Sequence, residues 1–401
     1  MDDTDALPAE RQRRIERFVT DWLSEEGVPG AAVAVVDGDE TVYAEGFGAR
    51  DLETNAPATP ETCYGVASIT KSFTAMAVLQ LVEAGAVALD EPVTEYVPFF
   101  EREVATDDGA DATEPPTVAE LLSHTSGMPS DGASVALISR LVGGDPEPVP
   151  LSSRADLERY VSHSLPERTG DDRFFYYNTG YTVLGAVVEA VDGRAFRTYV
   201  GEELLEPLGM DRSVLAPPEF EALENAMTPY REEDGERVEA AFPVKGLGAA
   251  GGLVSTVEDL GHYLAFQFDP DPAVLDPDLL AEARRARTTR QTYLDGTEQG
   301  YGYGWMRRPY LGDDLVEHGG SLGVSTAYVG FLVDGEIGVA IACNDSPSPH
   351  PADVGPALLA LVMGEEPAER TRYFGLRRAA EAVAGTYESY RGIQSATVEP
   401  D

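Results

Sequence analysis

Ser68-Ile69-Thr70-Lys71 sets a hydroxyl and an amine three residues apart. If a helix begins near Ser68, these two positions share one face of its first turn. A serine hydroxyl is a weak nucleophile until a base takes its proton. A lysine amine is such a base when partial burial or nearby positive charge lowers its pKa. The helix N-terminus adds free backbone N–H groups and the positive end of the dipole, which stabilise an oxyanion. Taken alone, the pattern also describes a helix cap followed by a surface lysine. Composition favours the chemical reading. Of 29 basic residues, only Lys71 and Lys245 are lysines. Surface lysines are readily replaced by arginine, but arginine does not deprotonate and cannot serve as a base.

Two further groups accompany this pair. In Tyr176-Tyr177-Asn178 a tyrosine can relay a proton and an asparagine can hold a lysine or donate to a carbonyl. The same residues would also serve as an aromatic helix start capped by Asn178. In His318-Gly319-Gly320-Ser321 the paired glycines allow close backbone approach, and the Ser321 N–H can be a second oxyanion donor. A tight turn opening a hairpin is the plainer alternative. Gly319 to Gly323 also fits G-x-S-x-G, the α/β-hydrolase nucleophile elbow. An elbow needs a helix after its serine, whereas strands are expected here. The following acid and histidine candidates, Asp345 and His350, lie close together. The histidines His124, His163, His262, His318 and His350 show no H-E-x-x-H spacing, and Cys63 and Cys343 have no C-x-x-C partner. No metal and no cofactor is implied.

The elements that must position these groups follow from periodicity. Residues 9–26 read as an amphipathic helix with Ile15, Phe18, Val19 and Leu23 on one face. Ala31–Val36 and Thr41–Phe47 flank a turn and form a hairpin. A helix runs from near Ser68 through Met76, Leu79, Leu81 and Val82 to Gly85. Residues 103–117 and 143–150 read as loops, and 118–123, 154–164, 179–191 and 196–205 as helical patches. Strands return at Ala327–Val333 and Ile337–Cys343, and an apolar helix at 353–363 ends at Gly364. Strands at both ends with helices between imply an α+β fold, one sheet completed by both termini. Gly385–Glu388 reads as a strand without an evident partner, either the stub of a further β-domain or a frayed tail.

Ser68-x-x-Lys71, Tyr176-x-Asn178 and His318-x-Gly320, in that order, resemble the serine β-lactamase and penicillin-binding-protein superfamily, in its branch of class C β-lactamases, D-stereospecific peptidases and esterases. Val28-Pro29-Gly30, Leu121–Pro129, Pro207–Met210, Ala250–Asp259 and Gly302–Trp305 also look like this family. The resemblance implies a β-lactamase-like domain over 9–364, with a discontinuous α/β part at about 9–68 and 301–364, a helical insertion at about 69–300 and a tail at 365–401. It implies Ser68 as acylated nucleophile, Lys71 as its base and Tyr176 as proton relay. Asn178 would orient Lys71 and the substrate amide, and the N–H groups of Ser68 and Ser321 would form the oxyanion hole. One departure is His318, where β-lactamases and many D,D-peptidases carry the lysine that binds a substrate carboxylate. A mostly neutral histidine weakens that anchor. Esters, or peptides held by their amino end, become the expected substrates. The competing readings are a catalytically silent binding or scaffold protein on the same fold, and an elbow-type esterase using Ser321.

Asp and Glu number 71 and the formal net charge is −42, which excludes a general nucleic-acid or anionic-membrane binder. No run approaches a membrane span and no signal-peptide apolar stretch opens the chain, so a cytoplasmic location is expected. Acid excess with lysine scarcity points to an extreme halophile, because high salt screens the self-repulsion. Such a protein unfolds when salt is withdrawn. A circular-dichroism titration from molar to millimolar salt that leaves the fold intact would exclude this origin.

Overall fold

The computed structural model describes residues 6–98, 115–128, 173–215, 220–243 and 248–399. The helical patch expected at 154–164, the loop at 143–150 and most of the loop at 103–117 lie outside them.

The main sheet of the described residues has nine strands: β1 (Gly30–Asp37), β2 (Glu40–Asp51), β3 (Ala56–Pro57), β4 (Thr288–Thr292), β5 (Glu298–Tyr301), β6 (Met306–Tyr310), β7 (Asp313–Ser321), β8 (Thr326–Leu332) and β9 (Ile337–Cys343). Their order is β3-β2-β1-β9-β8-β7-β6-β5-β4, with antiparallel pairing between neighbours. β1 lies against β9, from Ala31 opposite Cys343 to Asp37 opposite Ile337. The early and late parts of the chain therefore meet inside the sheet, as an α+β fold completed from both ends requires.

Helices cover both faces: α1 (Ala9–Glu26), α2 (Thr70–Glu83), α3 (Asn178–Asp192), α4 (Val257–Phe268) and α5 (Pro351–Val362). Seven consecutive residues of β1 are buried, which explains its unbroken apolar run. Ala31, Val33 and Val35 share one core with Ile15, Val19 and Trp22 of α1 and Leu358 of α5. Ala32, Ala34 and Val36 face the other core, with Phe73 and Met76 of α2, Val183 of α3 and Leu264 of α4. The helix α2 is buried on nearly every side, so its sequence lacks a polar stripe.

The second half of the sheet begins at Thr288, earlier in the chain than the residue of about 301 at which the resemblance starts the second α/β part. β4 (TTRQT) and β6 (MRRPY) bury little and carry few β-branched apolar residues, so they leave a weak strand signal. At the C-terminal end, Gly385–Glu388 does have a partner, Ser395–Val398, in a two-stranded sheet apart from the main one. Both strands are exposed throughout. No helix of the described residues is long and apolar enough to cross a membrane.

Candidate active site

Ser68 lies in a 3₁₀ turn, Ala67–Ile69, that runs directly into α2. Ala67 has φ 49°, a left-handed conformation that costs an L-residue about 1–2 kcal/mol. Tertiary contacts must therefore hold it. The Thr70 hydroxyl donates to the Ala67 carbonyl and accepts the N–H of Leu253 at 3.0 Å. Lys71 is fully buried and Ser68 half-buried. Lys71 Nζ donates to Ser68 Oγ at 3.1 Å and to the Ala250 carbonyl at 2.6 Å. The i, i+3 spacing thus brings the two reactive atoms together as helix geometry dictates.

Tyr176 comes from the segment that enters α3. Its ring centroid is 4.9 Å from Lys71 Nζ. Burial raises the phenol pKa, against a smaller lowering by the Ser68 hydroxyl. The phenol therefore keeps its proton at neutral pH. Asn178 opens α3 and is half-buried. Among the described residues no hydrogen bond joins Asn178 to Lys71, whose Nζ donates to Ser68 and Ala250.

β7 carries the third group of residues. A Cβ on Gly320 would lie 2.1 Å from the Val66 carbonyl oxygen and 3.0 Å from the Ser68 nitrogen. Only a glycine lets this strand lie against the turn that carries Ser68. The Ser321 side chain is exposed and accepts the Gly323 N–H at 3.2 Å. The chain then turns into β8, so the G-x-S-x-G frame lacks the strand–turn–helix of an elbow. His318 is buried, with Nδ1 2.7 Å from the Gly319 carbonyl and Nε2 3.3 Å from the Tyr301 hydroxyl. The carbonyl can only accept, so Nδ1 carries the proton of the neutral ring. Burial, and then the charge of Lys71, lowers its pKa to about 3.

A cavity of about 1180 Å³ takes in Ser68, Tyr176, His318, Gly320 and Ser321 and includes Arg290 on β4. Arg290 donates to Gln299 and has no carboxylate partner among the described residues. The cleft carboxylate Glu317 is already held at 2.8 Å by each of Arg308, Gln299 and the Tyr328 hydroxyl. Sequence reasoning missed Arg290 because it lies on an edge strand with no clear pattern, one arginine among many. It also missed Tyr301, which only the pairing of β5 into the sheet brings near His318. His124, which belongs to none of the three motifs, lies within the same aromatic cluster, 4.3 Å from the Tyr176 ring. Among the described residues no group of three or more His, Cys, Asp or Glu could hold a metal ion.

A serine in the turn that opens a helix, a lysine hydrogen-bonded to it, a tyrosine ring near that lysine and a glycine-bearing strand alongside form a β-lactamase-like architecture. The chain belongs to the Beta-lactamase family, whose model matches residues 12–363. The octameric penicillin-binding protein homologue from Pyrococcus abyssi superposes with a TM-score of 0.87 at 35% identity, covering 97% of this chain and 86% of that one. Penicillin-binding protein 4 of Amycolatopsis lactamdurans is 29% identical over 356 residues, covering 84% of this chain and 86% of the relative. Protein flp of Staphylococcus aureus (strain MW2) is 23% identical over 346 residues, 84% of this chain; the chain spans 64% of that relative's length.

The buried histidines have a consequence for acid stability. The ordinary value of 6.5 for the unfolded His318 falls to about 3 in the fold. Between these values the unfolded chain binds a proton that the folded ring does not. The stabilisation is therefore complete above pH 6.5 and is lost on acidification toward about 3, by up to about 1.4 kcal/mol per pH unit. Urea midpoints at pH 7 and pH 4 should differ less for His318→Gln than for the wild type. An identical pH dependence in the two proteins would contradict the assignment.

Proposed function

We propose that the protein is a serine hydrolase that forms a covalent acyl-enzyme with esters or small peptides and amides, including those that contain D-amino acids. The 3.1 Å contact between Lys71 Nζ and Ser68 Oγ, with the lysine buried and the serine open to the cleft, carries this reading. Ser68 Oγ attacks the substrate carbonyl carbon while its proton passes to the uncharged Lys71 amine. The carbonyl oxygen becomes an oxyanion held by the backbone N–H groups of Ser68 and Ser321. Collapse breaks the C–O or C–N bond, and the leaving alcohol or amine takes a proton through the Tyr176 phenol. Water then attacks the acyl carbon with Tyr176 assisting its deprotonation, the acid departs and Ser68 regains its proton. Asn178 binds the substrate amide.

The substrate class follows from the cleft's charges. His318 is a neutral ring bonded to Gly319, so the third motif offers no fixed cation. This favours esters and peptides held by their amino end. Arg290 lines the same cleft and extends the range to acyl substrates that bear a carboxylate. The alternative of a silent binding protein on this fold leaves the buried lysine at the serine without a task.

Labelling with a fluorophosphonate followed by peptide mapping should place the adduct on Ser68. Label on Ser321 would favour the elbow esterase, and no label the silent binder. Ser68→Ala should abolish turnover of p-nitrophenyl esters. Lys71→Arg should lower kcat by roughly a hundredfold or more, as for loss of a positioned base. A near-normal Lys71→Arg enzyme would refute Lys71 as the base. Arg290→Ala should raise KM for a carboxylate-bearing ester by roughly tenfold or more and leave neutral esters nearly unchanged. Equal effects on both ester types would remove Arg290 from substrate selection.

A further inference from the structure

His124 belongs to none of the three motifs, yet it grips the Tyr176 segment on both sides. Its carbonyl accepts the Phe175 N–H at 2.8 Å, and its ring Nδ1 accepts the Tyr177 N–H at 3.1 Å. The residue bracketed by those two donors is Tyr176. His124 itself has φ 58°, a left-handed conformation in which histidine is enriched relative to most residues. Next to it, the Leu122 carbonyl accepts the Tyr181 hydroxyl at 2.6 Å. The turn at 122–124 and the start of α3 are therefore docked through three separate bonds.

The ring of His124 is buried, with centroids 4.3 Å from Tyr176, 4.8 Å from Tyr301 and 5.1 Å from Tyr181. Its Nε2 has no hydrogen-bond partner among the described residues. With Nδ1 accepting, the neutral ring carries its proton on Nε2. Burial, followed by electrostatic interaction with Lys71, His318 and Arg290, holds the ring's pKa well below the ordinary value. A protonated ring would present an N–H at Nδ1 and release the Tyr177 amide.

We propose that His124 is the positioning residue for Tyr176: by accepting the Tyr177 N–H on Nδ1 it fixes the phenol beside Lys71 and Ser68 and so sets the rate of proton transfer to the leaving group. This rests on the reading of Tyr176 as the proton relay.

The test is a double-mutant cycle on a neutral p-nitrophenyl ester, with kcat and KM measured for His124→Phe, His124→Asn, Tyr176→Phe and the combinations. Phenylalanine keeps the ring and removes the acceptor. Asparagine offers Oδ1 near the Nδ1 position and tolerates the left-handed backbone. His124→Phe should lower kcat by roughly 10- to 100-fold with KM nearly unchanged, the scale expected for a misplaced catalytic group. His124→Asn should recover most of that loss. In the Tyr176→Phe background, His124→Phe should add nothing further, because both act on one step. If His124→Phe does not fold, His124→Gln replaces it, since its acceptor is displaced from the Nδ1 position; it must show the same loss relative to Asn. Losses that multiply, or an asparagine variant as impaired as its counterpart, would overturn the proposal while leaving an impaired Tyr176→Phe enzyme in place. An unimpaired Tyr176→Phe enzyme would instead overturn the relay reading, and this proposal with it.

Discussion

An amine takes a proton from a hydroxyl only when it is held against that hydroxyl and kept from bulk water. The surroundings of Lys71 serve that one geometry. The first two turns of α2 are clamped to a segment far along the chain: Lys71 Nζ to the Ala250 carbonyl, the Thr74 hydroxyl to the Ala249 carbonyl at 2.6 Å, and Thr70 to Leu253. From another side, a Cβ on Gly304 would lie 2.8 Å from the Lys71 carbonyl oxygen, so its backbone presses on the same turn. The stretches Ala250–Asp259 and Gly302–Trp305, whose wording resembles the family, thus have a common physical reason. Both pack against the beginning of one helix.

Charge in the cleft runs counter to charge on the molecule. A formal net charge of −42 repels anions at long range. Within the cavity, Glu317 is balanced by Arg308 and satisfied by Gln299 and Tyr328, which limits the cost of burying an ion pair. Arg290 adds a cation with no such balance among the described residues. The wall near Ser68 is therefore electrostatically distinct from the acidic exterior.

His318 and His124 are neutral, and they hold opposite tautomers. His318 donates from Nδ1 to a carbonyl, while His124 accepts on Nδ1 from an amide. Each tautomer is dictated by the backbone group it meets. Both have pKa values lowered chiefly by burial. Neither is poised to exchange protons near neutrality, so neither suits the part of the histidine in a serine–histidine triad. Lys71, not a histidine, is the basic side chain hydrogen-bonded to the Ser68 hydroxyl.

Much of this was legible in the residues. The α1 helix, the β1–β2 hairpin, the β8–β9 hairpin and the adjacency of Ser68 and Lys71 each follow from periodicity within a short window. The strands β4 to β6 were not legible, because β4 and β6 bury little and carry arginines without alternation, and β5 is only four residues long with a glycine in it. Arg290 and Tyr301 were lost with them. His124 was visible as a residue, but its two bonds to the Tyr176 segment depend on a chain reversal that no local pattern encodes. The sequence by itself determined which hydroxyl faces which amine, since helical geometry settles that within one turn. Only the tertiary structure decided that the amine is buried, that its second partner is a carbonyl 179 residues away, and which cation and which neutral rings surround it. Burial and long-range hydrogen bonds exist only once the sheet has closed between both parts of the chain.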